Sequence, residues 1–459
     1  MEIIDTTDIL YDTPLITTPL RKNVKIVFAD DTASGRPCKM IDNKMITDIH
    51  PYYSNTHSNA FTGIMMKNLI KDTKLCIRKI HDLDKNHKIL FTGSGTTGAI
   101  NHLVGSIDFN KYRETHIFIS TSEHYSNHLP WVEKSKDEQH IKIMLIPIKD
   151  DDVDLDWLNM NIQKDCDVLN IISVTACSNV TGVITDLTKL KQIIKTHVDT
   201  EKTNIYLFLD CACIAPYENV NLHDVDACFF SMHKFLGGQT APGILIARQN
   251  LFTKSHPYNP GGGCVKKASA YVIQYEDDLE KKESGGTPNI LGIIRTKFVY
   301  ELRAKYMNTI TNNEKYITRY IHKKLENICR NYPNVKVIML TKFLVRRLPI
   351  ISLSIDGLHY NFVVALLNDL FGIQTRGGIS CNGMFGEYIK TKYNMDGWCR
   401  ITFSWLMTIE TIDYILKAVT YVARFGKQYK SLYTFDTESN LFLYTGRYTY
   451  DIPEKFLLK

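Results

Sequence analysis

The sequence predicts an α/β fold: a large unit on a mostly parallel sheet, followed by a smaller α+β unit. Two observations carry this reading. Between about residues 88 and 248, apolar runs of strand length alternate with segments of helix length, the order that builds a parallel sheet with helices on both faces. Those runs also end repeatedly in polar clusters, and in such sheets ligands sit beyond the carboxyl ends of the strands. A chain of 459 residues has material for two or three domains of roughly 150 residues.

Residues 1–24 read as an arm, polar and rich in Thr and Pro, and 25–300 as the large unit. The apolar KIVFADD leads into a turn-rich loop, DDTASGRP. IHPYYSNTHSNAF (49–61) is irregular and aromatic, a cleft lining or a surface loop, and a helix is expected from Thr62 to Leu83. KILF, then GSGTTG, then AINHLVGSI gives strand, glycine turn and helix. That order aims free N–H groups and the positive end of the helix dipole at the turn, where a phosphate is the natural occupant and a plain turn is the alternative. The loop is neither GxGxxG nor GK[ST], so a nucleotide reading loses its usual support.

HIFIS repeats the plan, and its polar end holds Glu123, His124, Ser126, Asn127 and His128. The two histidines lack carboxylate or thiolate partners at ligand spacing, so an imidazole that stacks on a ring or moves a proton is better supported than a metal. IKIMLIPI is the next strand, DDDVDLDWLNMNIQ a capped helix, and VLNIISVTACSNVTG a strand whose end carries Asn179. NVT matches a glycosylation sequon, discounted here for want of a signal peptide.

YLFLD ends in Asp210 and DACFFS in Ser231, with Lys234 just beyond, beside Gly237 and Gly238. A lysine next to a buried strand end is a poor choice for a solvated surface and a good one for a Schiff base, because desolvation frees its amine. A carboxylate at the tip of the preceding strand suits a cationic ring nitrogen. Together these are the two handles that pyridoxal phosphate needs.

Long helices follow the glycine-rich loops around Glu283, Thr287 and Asn289. Residues 301–425 then read as the small unit: strands VKVIML, IISLSI and CRITFSWL, helices HYNFVVALLNDLFG and TIETIDYILKAVTYVARF, and the loop IQTRGGISCNGMFGEYI. Residues 426–459 form a tail whose Tyr429, Tyr433, Tyr444, Tyr448 and Tyr450 are expected to pack on a neighbouring surface.

Hydrophobic content of 44% and charged content of 23% are ordinary for a soluble globular protein. The net charge of +6 is spread over Lys-rich helical segments with no basic tail, which favours solvated faces over nucleic-acid binding. The eleven cysteines are odd in number, scattered and without a CxxC pair, which points to a reducing compartment and to no metal site. The N-terminus has no apolar signal core, and no run reaches the ~18 residues that span a bilayer. A cytoplasmic protein without a membrane partner is expected.

With GSGTTGAIN, SEHYSNHLPW, SNVTG, the Asp210 strand end, SMHK, SGGTPN, RGGISC and CRITFS in this order, the chain resembles the cysteine desulfurases of the class V aminotransferase family. The resemblance implies fold type I of the pyridoxal-phosphate enzymes, with a mostly parallel seven-stranded sheet. Residue by residue it implies Lys234 as the Schiff-base lysine, Asp210 as partner of the pyridinium nitrogen and His124 as the imidazole over the ring. It implies phosphate contacts from Thr96, Thr97, Ser231 and His233, and from Thr287 of a second subunit in a homodimer. Asn179 takes the place near the cofactor's phenolic oxygen and the substrate. Arg400 takes that of the arginine that grips the substrate carboxylate, with Arg376 in the loop that ends at the nucleophilic Cys381.

The activity so implied removes sulfur from L-cysteine, leaving L-alanine and a persulfide on Cys381 that a sulfur-acceptor protein would relieve. Two departures are visible. Cys213 stands where desulfurases often have Gln or another hydrogen-bonding residue near the phenolic oxygen, and RGGISCNG differs from the commoner loop wording. Selenocysteine lyase, epimerase, aminotransferase and cofactor sulfurase chemistry on the same scaffold therefore stand as alternatives. A non-catalytic sulfur-relay scaffold is the alternative from another class.

Overall fold

The computed structural model describes residues 1–149, 152–201, 203–339, 346–446 and 448. Seven strands make the sheet of the large unit: β1 His87–Thr92, β2 Glu114–Ser120, β3 Ile141–Ile146, β4 Val168–Thr175, β5 Asn204–Asp210, β6 Ala227–Ser231 and β7 Gly243–Arg248. Their order across the sheet is β1-β7-β6-β5-β4-β2-β3. Pairs from β6 to β3 are parallel, while β7 runs antiparallel to both β6 and β1. The reversal follows from the link: residues 232–242 form turns, too short for the helical crossover that a parallel neighbour requires.

The strands are buried on both faces, which is why they read as continuous apolar runs. Leu207 and Leu209 of β5 enter one core with Met66, Ile77, Leu190 and Ile294, whereas Phe208 enters the other with Ile100, Leu103 and Trp131. The first face is covered by α1 Phe61–Ile80, the second by α2 Gly95–Ser106 and α3 Tyr125–Asp137. Asp154 caps Leu155–Asn161 by accepting from the N–H groups of Asp156 and Trp157, as the acidic run before that helix suggests.

One unbroken helix, α4 Ile290–Asn331, joins the two units. Its Ile290, Ile294 and Ile310 pack in the large core, and its Ile317, Ile321 and Leu325 in the small one. The small unit is built on a four-stranded sheet of β8 Val335–Val337, β9 Ile350–Ile355, β10 Arg376–Gly378 and β11 Trp398–Thr402, in the order β8-β9-β11-β10. The strand β10 falls in a stretch expected as loop. Its two glycines carry no apolar signal, and only its pairing with β11, from Arg376 with Arg400 to Gly378 with Trp398, reveals it.

The N-terminal segment is packed, not free. Ile9 is buried, and Val27–Phe28 pairs with Ile373–Gln374 of the small unit. The tail folds back as a hairpin, Tyr433–Asp436 with Leu441–Tyr444, and the Tyr433 hydroxyl donates to Asp369 at 2.6 Å. Tyr429 shares a hydrogen bond with Tyr421, and the Tyr448 hydroxyl reaches the Thr17 carbonyl. Tyr450 lies outside the described residues.

Candidate active site

The carboxyl ends of β1, β4, β5 and β6, with the small unit facing them, enclose a cavity of about 200 Å³. Its wall includes Thr96, Thr97, His124, Asn179, Asp210, Cys213, Ser231, His233, Lys234, Arg376 and Arg400. With Thr32 and Ala33, also in this wall, residues from eight separate stretches of sequence meet on one rim.

At one end the turn after β1 opens α2. The Thr96 N–H donates to Ser231 Oγ at 3.0 Å, and the two hydroxyls lie 3.2 Å apart. Thr97 pairs with the Ser126 hydroxyl at 2.6 Å. Gly95 has φ +56, and a Cβ there would come within 2.6 Å of Ser231 Oγ, so the cradle keeps its shape only with glycine. Hydroxyls, the imidazole of His233 and the amino end of a twelve-residue helix make an anion seat.

At the floor, Asp210 ends β5 and accepts from the Ala212 N–H at 2.9 Å. Burial raises its proton affinity, opposed by that hydrogen bond and by Lys234. Burial lowers the proton affinity of Lys234, with Arg400 and Arg376 adding to the effect and Cys213 and Asp210 opposing it. The loop from Asp30 to Gly35 closes over this lysine. A Cβ on Gly35 would lie 2.3 Å from the Phe235 carbonyl oxygen and 2.8 Å from that of Lys234, so only glycine admits the approach.

His124 caps α3, its Nδ1 accepting from the Ser126 N–H at 3.1 Å. Burial, helped by Lys234, Arg376 and Arg400, lowers its pKa to about 4, so the ring is neutral near pH 7. Next to it is Glu123, visible in the sequence at the polar strand end but with no role expected of it. It is 1% exposed, and its oxygens meet Ser120 Oγ at 2.6 Å, Asn127 Nδ2 at 2.8 Å and the Thr175 N–H at 2.8 Å. Burial raises its pKa to about 8 against these bonds, with Asp210 adding to the rise.

The small unit contributes the arginines and the thiol. Arg400 is 2% exposed, bridges to Asp30 Oδ1 at 2.7 Å and donates to the Asn179 carbonyl at 3.2 Å. Asp30 was also unforeseen: it meets Arg400 only through tertiary structure, and no local signal announces it. Cys381 is half-buried, and Arg376 Nη2 donates to its sulfur at 3.4 Å. Its loop is pinned on every side. Asn179 Nδ2 donates to the Ser380 carbonyl at 2.9 Å, Trp398 Nε1 to Ser380 Oγ at 3.0 Å, Asn382 Nδ2 to the Ser122 carbonyl at 2.6 Å, and the Tyr125 N–H to the Cys381 carbonyl at 2.9 Å. Thr287 is not in this wall. It is exposed and accepts from Asn55 Nδ2 at 3.3 Å. That asparagine belongs to the irregular 49–61 stretch.

The sequence profile of the class V aminotransferases matches residues 27–415. The chain belongs to that family. Its members use pyridoxal phosphate, and the residues present fit the group: an anion seat around Gly95, a buried carboxylate for a ring nitrogen, and a desolvated amine between them. Among curated relatives, a protein of Borreliella burgdorferi described as a probable cysteine desulfurase is 28% identical, over 85% of this chain and 90% of its own. A cysteine desulfurase of Wigglesworthia glossinidia brevipalpis is 26% identical, over 92% and 98%. Among solved structures, the apo cysteine desulfurase of Thermococcus onnurineus superposes with a TM-score of 0.75 at 22% identity, over 87% of this chain and 95% of that one. The class V chain therefore has the expected fold, with the seven-stranded, mostly parallel sheet in place.

Proposed function

We propose that the protein is a pyridoxal-phosphate-dependent cysteine desulfurase that takes sulfur from L-cysteine, leaves L-alanine and carries the sulfur as a persulfide on Cys381. One observation carries this reading over other class V chemistry: Arg376 lines the cavity beside Lys234 and also holds the Cys381 thiol. A cysteine tethered at the mouth of such a pocket has a purpose when the reacting atom is a substrate sulfur.

Bound pyridoxal phosphate supplies the electron sink that loosens bonds at the substrate's α-carbon. Around it the chain does the rest. Thr96, Thr97, Ser231 and His233 hold the phosphate, and Asp210 keeps the ring nitrogen protonated. Arg400 and Arg376 receive the substrate carboxylate. Lys234, whose amine is readily neutral in this setting, anchors the cofactor and takes the α-proton. Cys381 attacks the substrate sulfur, forming an S–S bond as the carbon–sulfur bond breaks, and the electron pair stays with the carbon fragment. Neutral His124 is placed to receive and pass on a proton.

Three further parts belong to the reading. Thr287, on an exposed loop, completes the phosphate seat of a second subunit, which makes the enzyme a homodimer. Asn179 and Cys213 border the cofactor's phenolic oxygen, and a partner protein accepts the sulfur from Cys381. All eleven cysteines are free and no described helix is long and apolar enough to cross a membrane, which supports work in the reducing cytoplasm.

The test is to mix purified protein with L-cysteine and a reductant and to quantify alanine and sulfide. Wild type should yield both, and Cys381→Ala and Lys234→Ala should yield no sulfide. A yellow protein that forms no alanine would retain the cofactor and sink the desulfurase reading.

A further inference from the structure

Two cysteines line the cavity, Cys177 and Cys213, and both are buried. They follow β4 and β5 by two and three residues from Thr175 and Asp210, which are direct register partners on these parallel strands. Neighbouring strands run ~5 Å apart, so the two side chains start close together. Both thiols donate to one acceptor, the Ser178 carbonyl, each at 3.8 Å. Cys177 has a second acceptor in the Gly182 carbonyl at 3.3 Å.

Their surroundings differ. The Cys177 thiol, then Lys234 and Arg400, hold the Cys213 proton affinity below the usual thiol range. Burial pushes Cys177 well above it. Of the two, Cys213 gives up its proton more readily and Cys177 holds its own more tightly. A second buried pair, Cys211 just past β5 and Cys228 on β6, also lies side by side but does not border the cavity.

We propose that Cys177 and Cys213 form a reversible disulfide in the floor of the active site when hydrogen peroxide enters the cavity. As the Cys213 thiol gives up its proton, its sulfur attacks a peroxide oxygen, the O–O bond breaks, and hydroxide leaves as Cys213 becomes a sulfenic acid. The Cys177 sulfur then attacks the Cys213 sulfur, expelling the second hydroxide. Two electrons pass from the thiols to the peroxide, and the thiol protons complete two waters. This goes beyond the desulfurase reading, which gives neither sulfur a redox role, and it does not depend on that reading.

The test treats reduced, desalted holoenzyme with hydrogen peroxide, alkylates the remaining thiols and maps the peptides by mass spectrometry. Expected is a Cys177–Cys213 cross-linked peptide, two hydrogens lighter than its parts, with alkylation lost at both residues and restored by dithiothreitol. Cys211 and Cys228 should stay alkylated. The cross-link should vanish in Cys213→Ser and in Cys177→Ser. If either variant folds poorly, the wild-type map decides alone, since connectivity is read on the unaltered chain. The proposal is overturned if Cys177 and Cys213 remain alkylatable while Cys381 oxidises, or if Cys213 reaches the sulfinic acid without a cross-link. Equal cross-linking of Cys211 with Cys228 would also overturn it, because entry through the cavity would then select nothing.

Discussion

Arg376 and Arg400 stand directly opposite each other on β10 and β11, and both reach into the cavity. Like charges facing across antiparallel strands destabilise a sheet. Asp30 offsets one of them at 2.7 Å, and Arg400 Nε remains buried without a partner. The pair therefore holds an unmet demand for an anion, which is the ground for assigning it the substrate carboxylate in the proposed reaction.

Arg400→Lys keeps the charge but loses the planar fork. Expected is a rise in KM for L-cysteine of roughly tenfold or more, with kcat changed less, the signature of lost ground-state binding. Steady-state kinetics decides it, and an unaltered KM would remove Arg400 from the carboxylate site.

Asp210→Asn leaves the shape of the floor and removes the charge beside the ring nitrogen. The variant is expected to retain the cofactor's visible absorbance, with an altered band, and to lose at least about tenfold in kcat. Wild-type turnover in this variant would show that the ring nitrogen does not rely on Asp210.

Glu123 holds its proton up to about pH 8 in the folded chain against an ordinary value of 4.5. Between those limits the folded state binds more protons than the unfolded one. The stability it contributes is full below about pH 4.5 and disappears as pH rises through about 8. Wild type should therefore lose stability relative to Glu123→Gln from pH 5 to pH 9, on the order of a few kcal/mol. Urea midpoints measured at both ends check this, and parallel curves would contradict it.

Asn382 is fully buried and caps the helix Gly383–Tyr393 while gripping the Ser122 carbonyl. Ser380 and Cys381 before it sit at φ +55 and +56, a left-handed pair that persists only under such restraint. Asn382→Ala should cost about 1 kcal/mol from the cap alone and lower Tm by about 2 °C. It should also slow sulfur transfer to Cys381 more than it changes cofactor absorbance. Single-turnover persulfide formation against the visible spectrum separates the two effects.

The chain's own order carried much of this. Apolar runs buried on both faces cannot alternate with polar residues, so β1 to β7 were legible as strands, as were the polar ends at Asp210, Ser231 and Lys234. A lysine beside glycines and a carboxylate at a strand tip are local features, and local features survive in sequence. Tertiary structure alone decided the rest. It reversed β7, formed β10 from glycines, and carried one helix across both units. It also set Asp30 on Arg400 and Cys177 beside Cys213. Each of these joins stretches remote in sequence or backbone that carries no side-chain signal, and such contacts exist only once burial has brought them together.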